Sequence, residues 1–201
     1  MNKTWIAPDG QVRCHWCSAT PEYLAYHDEE WGLPQADVRR LFEKLSLEGF
    51  QSGLSWRTIL AKRENFRRAF DDFDFEAIAR YTERDVLRLL DDAGIVRHRG
   101  KIEAVIHNAQ RALEMVAREG SVAAFVWRYE PDMKALAAPQ TASTSPESVA
   151  LSKELKKRGW KFVGPTTVYA FMQAMGLVND HATDCVARSR VDRARQAFSR
   201  P

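Results

Sequence analysis

Nowhere in the 201 residues do about 18 apolar side chains follow one another, and no signal-peptide pattern opens the chain. The sequence therefore offers no membrane span and no secretory leader, and a soluble cytoplasmic protein is expected. Cysteine is scarce. Three residues are an odd number, which argues against a disulfide framework and for metal ligation or free thiols. Period-two alternation of apolar and polar residues is nearly missing, so strands are not expected. Net charge is small too: 30 basic against 27 acidic residues give +3, too little to announce a nucleic-acid binder. The excess sits in the tail "VARSRVDRARQAFSRP", with five Arg and one Asp, which reads as a solvated, flexible end.

What is present is helical periodicity. Val38, Leu41, Phe42 and Leu45 fall on one helical face, with Asp37 well placed near the N-terminus. "SWRTILAKRENFRRAF" opens on Ser55, a good N-cap. "TERDVLRLLDDAG" runs from Thr82 to a stop at Gly94, and a long helix ends at Gly120. "SVAAFVWRYEP" is a short helix ended by Pro131, and "DMKALAAPQTASTSP" is a surface loop. With 45% hydrophobic residues the chain can build one compact core, divided into two lobes around a cleft. An all-α single domain over 1–201 is expected.

Two stretches carry chemistry. The first is "RCHWCSATPEYLAYHDEEWG", with Cys14 and Cys17 in a C-x-x-C and His27 beyond. Far down the chain, His181 and Cys185 stand four apart in "HATDC", one helical turn, so both can face the same way. Two thiolates and two imidazoles make a closed tetrahedral set of the structural-zinc type, tying the two ends together. Cys14, Cys17, His27, His181 and Cys185 compete for four places, with His15 behind them. Unrelated thiols and surface histidines are the plain alternative.

The second is "LSKELKKRGWKFVGPTTVYAFMQAMG". A helix runs to Gly159, a short turn follows, and Pro165 opens a new helix at the position where its missing N–H costs nothing. The unpaired N–H groups of such a turn suit a phosphate, with Lys161 adding charge. An ordinary antiparallel helix pair would read the same way.

"YLAYHDEEWG", "LFEKLSLEGFQSGLSW", "TILAKRENFR", "DAGIVRHRGKI", "LSKELKKRGWKFVGPTTVYAFMQAMGLVNDH" and Cys185 together resemble the 3-methyladenine DNA glycosylase I family of base-excision enzymes. The likeness spans most of Cys14 to Cys185. The first dozen residues, the loop near 131–146 and the tail lie outside it, giving a family core over about 13–186 with terminal extensions at 1–12 and 187–201.

The resemblance implies an all-α helix-hairpin-helix glycosylase fold with one structural zinc, held by Cys14, His27, His181 and Cys185, and makes Cys17 a bystander. It implies extrusion of an alkylated base from double-stranded DNA and hydrolysis of its N-glycosidic bond, with free 3-methyladenine as product. Glu48 becomes the base-reading carboxylate. Tyr26 and Tyr23 become pocket hydrogen-bonders and stackers, Trp56 a stacking wall, and Trp16 and Trp31 lining residues. Without the resemblance, aromatics are core and a helical Glu is solvated. DNA contact is assigned to Lys161, Gly164, Thr166 and Thr167, with Leu54 as the wedge filling the gap left by the base.

Bifunctional members of the wider superfamily carry a lyase lysine two positions after the second hairpin glycine. Here Gly164 leads to Pro165 and Thr166, so a monofunctional enzyme without strand nicking is expected. Where many members place a catalytic Asp before x-His, this chain has Asn179, next to Asp180. That suits labile, cationic bases. A monomer is expected. The competing reading is a non-catalytic zinc-containing helix-hairpin-helix DNA-binding protein.

Overall fold

The computed structural model describes residues 3–201. Among the described residues there are eleven α-helices: α1 Pro21–Glu29, α2 Val38–Gln51, α3 Trp56–Ala61, α4 Arg63–Ala69, α5 Phe75–Ile78, α6 Glu83–Asp91, α7 Arg99–Glu119, α8 Val122–Trp127, α9 Pro146–Lys157, α10 Pro165–Ala174 and α11 Val186–Ala197. Among the described residues no helix is long and apolar enough to cross a membrane.

Helix α2 is the axle. Asp37 accepts a hydrogen bond from the Arg40 N–H and starts it. Every residue from Leu41 to Phe50 is buried, so the helix is covered on all sides and its polar residues Glu43, Lys44, Ser46 and Glu48 are enclosed with the apolar ones. Helix α10 packs on one side, α7 and α8 on others, and α9 backs α10. Phe50 meets Phe66 at a centroid distance of 4.6 Å, and Phe70 stacks on Phe73 at 5.6 Å. These rings belong to one large apolar core running from Leu41 to Val178. A small second cluster gathers Cys14, Ala182, Cys185 and Ala187 under Trp16 and Trp31.

The boundaries differ from the sequence reading in three places. Thr4–Ile6 and Val12–Cys14 form a two-stranded antiparallel hairpin, β1–β2, because three-residue strands are too short to show alternation. The run from Ser55 is two helices, broken at Lys62. The expected flexible tail instead carries α11, with Val191 fully buried. Arg195 donates to the Gly176 carbonyl and, at 2.7 Å, to Glu130, which also holds Arg200. Gly176 has φ +80° and its backbone meets Pro34; an added Cβ would fall 2.4 Å from the Pro34 nitrogen. That close crossing draws the segment after α1 against the end of α10.

Candidate active site and metal cluster

Helices α1, α2 and α10 leave a cavity of about 230 Å³ between them. Its lining contains Trp16, Tyr23, Tyr26, Trp31, Glu48 and Trp56, the six side chains expected to form a base pocket, and also Lys44, Gln51 and Gln173. Tyr23 and Tyr26 come from one face of α1, which Thr20 caps through the Tyr23 N–H. Trp16 stands in a short 3-10 turn, His15–Ala19, and meets Tyr23 edge-on at 5.4 Å and Trp31 at 5.0 Å. Trp56 begins α3 and lies 5.6 Å from Tyr26.

Glu48 is 6% exposed and points into this aromatic shell. It is not alone. Lys44, one helical turn earlier on α2 and equally buried, places its ammonium 2.7 Å from Glu48 Oε1. The same ammonium donates to the Tyr26 hydroxyl at 2.9 Å and sits over the Trp56 ring, 3.2 Å from its centroid. Burial pulls Lys44 below the ordinary lysine range, and Glu48 pulls the other way. Burial, and then the Glu48 charge, keep the Tyr26 hydroxyl protonated well above the ordinary tyrosine range. Tyr26 is therefore a neutral hydrogen-bonding group at physiological pH.

Lys44 and Gln173 escaped the sequence reading. Lysine in a helix normally reads as solvated charge. The available signal was the i,i+4 spacing of Lys44 and Glu48 inside a run that is apolar on every other side. Gln173 is oriented from behind: its Nε2 donates to Asp180 at 2.6 Å. Asn179 faces elsewhere, donating to Asp192 and to the Arg188 carbonyl on α11, so it holds the tail rather than lining the cavity.

A second opening of about 300 Å³ shares Glu48, Gln51 and Ala170 with the first. Gly53 and Leu54 lie on one rim, Thr166 and Thr167 on the other. Leu54 is 42% exposed. Lys101 donates to the Phe50 and Ser52 carbonyls, fixing the end of α2 and the loop that carries Leu54. Arg99 pairs with Glu83 and Glu103. Lys101 and Arg99 thus both make contacts within the fold.

The turn between α9 and α10 is held equally firmly. Asn108 on α7 accepts from the Lys161 N–H at 2.8 Å and donates to its carbonyl at 2.9 Å. Ser152 donates to the Val163 carbonyl at 2.6 Å. Lys161 and Thr166 are exposed. A Cβ on Gly164 would meet only Thr167 Oγ1, at 4.0 Å, so the start of α10 is open to a close backbone approach.

Behind the aromatic wall lie Cys14, His27, His181 and Cys185, all buried, with their donor atoms within 4.8 Å of one another. A tetrahedral cation with bonds of about 2.0 Å to nitrogen and about 2.3 Å to sulfur needs N···N edges of about 3.3 Å and N···S edges of about 3.6 Å. His27 Nε2 is 3.2 Å from His181 Nδ1, and the N···S separations are 3.4, 3.7 and 3.8 Å. The other ring nitrogens are oriented from outside: His27 Nδ1 by Asp28 at 2.7 Å, and His181 Nε2 by the Trp31 carbonyl at 3.1 Å. Sharing a proton with Cys185, together with burial, pushes the Cys14 thiol up. The hydrogen bond from Cys14 pulls Cys185 down. Two thiols contesting one proton beside two imidazoles form a donor set that a metal ion fits. Cys17 is outside it, donating to the Cys14 carbonyl, and His15 is exposed.

Residues 16–189 match the methyladenine glycosylase family. Among characterised relatives, DNA-3-methyladenine glycosylase 1 of Escherichia coli K12 is 51% identical over 177 residues, covering 86% of this chain and 95% of the relative. DNA-3-methyladenine glycosylase of Haemophilus influenzae is 45% identical over 182 residues, covering 89% and 98%. A solved structure of a 3-methyladenine DNA glycosylase I variant in complex with 3-methyladenine superposes with a TM-score of 0.82 at 38% identity. It covers 88% of this chain and 97% of that one.

Proposed function

This chain belongs to the methyladenine glycosylase family, and from that premise we propose how its residues carry out the excision of 3-methyladenine from alkylated DNA. The observation that carries the reading is a buried carboxylate, Glu48, inside a cavity walled by three Trp and two Tyr. Such a cavity matches a flat, positively charged base rotated out of the duplex.

The hairpin of the helix-hairpin-helix glycosylase fold meets the DNA backbone through the open N–H groups at the start of α10, with Gly164, Thr166, Thr167 and Lys161 as phosphate contacts. Leu54 enters the duplex where the base leaves it. The extruded base stacks against Trp56, with Trp16 and Trp31 closing the far wall. Tyr23 and Tyr26 offer hydroxyl groups to its edge, and Glu48 accepts from its exocyclic amine. When the C1′–N9 bond breaks, its electron pair stays on the base, which leaves neutral. Water adds to C1′ and gives up one proton. Alkylation already makes the base a good leaving group, so binding and an electrostatic site for the sugar cation supply the catalysis without protonating it. With Pro165 and Thr166 following Gly164, the hairpin holds no lysine for a Schiff base, and the strand stays intact.

The four-donor cluster is read as a structural zinc site. Zinc bound by two thiolates and two imidazoles is closed to substrate and ties distant segments together. Its ligands touch the pocket wall: Trp16 lies 5.3 Å from His27, and Trp31 lies 4.6 Å from His181. The cluster therefore braces the aromatic face of the cavity. A DNA-binding scaffold without catalysis would need no carboxylate among these rings.

Single-turnover release of 3-methyladenine by wild type and Glu48→Gln tests the assignment. The amide leaves Lys44 without its counter-ion and puts a neutral acceptor in place of the charged one, and the rate is expected to fall by about 10²-fold or more. Full activity in a folded Glu48→Gln protein would remove Glu48 from its role.

A further inference from the structure

Lys44 occupies the place a cationic base would take. Its ammonium is ion-paired to Glu48 at 2.7 Å, hydrogen-bonded to Tyr26 at 2.9 Å and centred over Trp56 at 3.2 Å. Those are the carboxylate, the hydroxyl and the aromatic face assigned above to the base. Both members of the ion pair are buried, and both line the cavity. The empty pocket is therefore charge-balanced, whereas Glu48 alone would make it negative.

We propose that Lys44 is a specificity-determining residue, a resident cation that the incoming base must displace from Glu48 and Trp56, so that the pocket favours a cationic base over a neutral one far less than a bare carboxylate would. The proposal rests on reading the cavity as the base pocket. Its physical basis is direct. Two like charges cannot share one carboxylate and one ring face within a few ångströms in a water-poor site without a large cost. A neutral base, whose ring nitrogens accept hydrogen bonds, meets no such repulsion and can take one from the ammonium. The charge difference between the alkylated base in DNA and the released base places these two cases at the start and the end of the reaction. With Lys44 present, the cationic state gains less from Glu48 and the neutral product loses less.

The test is calorimetric binding, at mildly alkaline pH, of two probes: neutral 3-methyladenine, and a 9-alkyl-3-methyladeninium salt that carries a permanent positive charge. Wild type is compared with Lys44→Met. The ratio of cation affinity to neutral-base affinity is expected to rise by about tenfold or more in Lys44→Met. Because Lys44→Met leaves Glu48 buried without a partner, the comparison is repeated on the Glu48→Gln background, where no carboxylate is stranded. Replacing Lys44 there again raises the ratio, by less. An unchanged ratio in both backgrounds, with both bases still binding, would overturn the role of Lys44 and leave the pocket reading standing. Failure of either base to bind any of the folded proteins would overturn the pocket reading and this proposal together.

Discussion

Glu48 and Trp56 do opposite jobs in the same cavity, and substitution separates them. Trp56→Ala removes a stacking wall while keeping the carboxylate. It should weaken binding of free 3-methyladenine by roughly 1–3 kcal/mol, measured by calorimetry, and unchanged affinity would take Trp56 out of the wall. At this scale the sequence was legible for the six pocket residues and the four metal donors only through the family likeness. Spacing alone left Cys14 and Cys17 as rivals, and the structure parts them by turning Cys17 onto the Cys14 carbonyl. Lys44 was illegible for a different reason. A charged residue is expected in water, and only the burial of α2 on all sides forces it inward onto Glu48. The cluster makes its own prediction. Cys185→Ser should lose bound metal and lower the melting temperature together, and metal content unchanged by the substitution would contradict the four-ligand set.

At the scale of elements, the proposed DNA-contacting surface depends on two side chains that lie behind it. Lys101 fixes the loop of Leu54, and Asn108 fixes the hairpin turn. Asn108→Ala removes both hydrogen bonds to the Lys161 backbone and should cost about 1–3 kcal/mol of stability, read from the denaturation midpoint, with DNA affinity falling as the turn loosens. A variant of wild-type stability and affinity would show that the clamp is idle. The hairpin itself was readable, because Gly159, Pro165 and Gly176 punctuate it. The β1–β2 hairpin was not, since two three-residue strands carry no periodic signal. Nor was α11: a run with four arginines looks solvated until Glu130 and the Gly176 carbonyl are found waiting for Arg195.

Over the whole molecule, the ends of the chain are brought together behind the cavity. Cys14 and His27 from the N-terminal segment meet His181 and Cys185, and α11 packs on β2. The sequence showed two half-sites 150 residues apart in chain order, but distance in sequence carries no information about where the chain returns. The consequence is that the four-donor cluster, the pocket wall and the tail pack as one unit. Stripping bound metal with a chelator should lower the melting temperature and shift the fluorescence of Trp16 and Trp31, which meet His27 and His181 edge-on. A spectrum and melting temperature unmoved by complete metal loss would separate the two.

The site as built predicts excision of a flipped, alkylated base without strand cleavage. The most direct measurement is to treat duplex DNA with a methylating agent, incubate it with the protein and separate the released bases by chromatography while sizing the strands on a gel. Release of 3-methyladenine with strands left intact is the predicted result. DNA binding without any released base, or release accompanied by strand nicking, would contradict it.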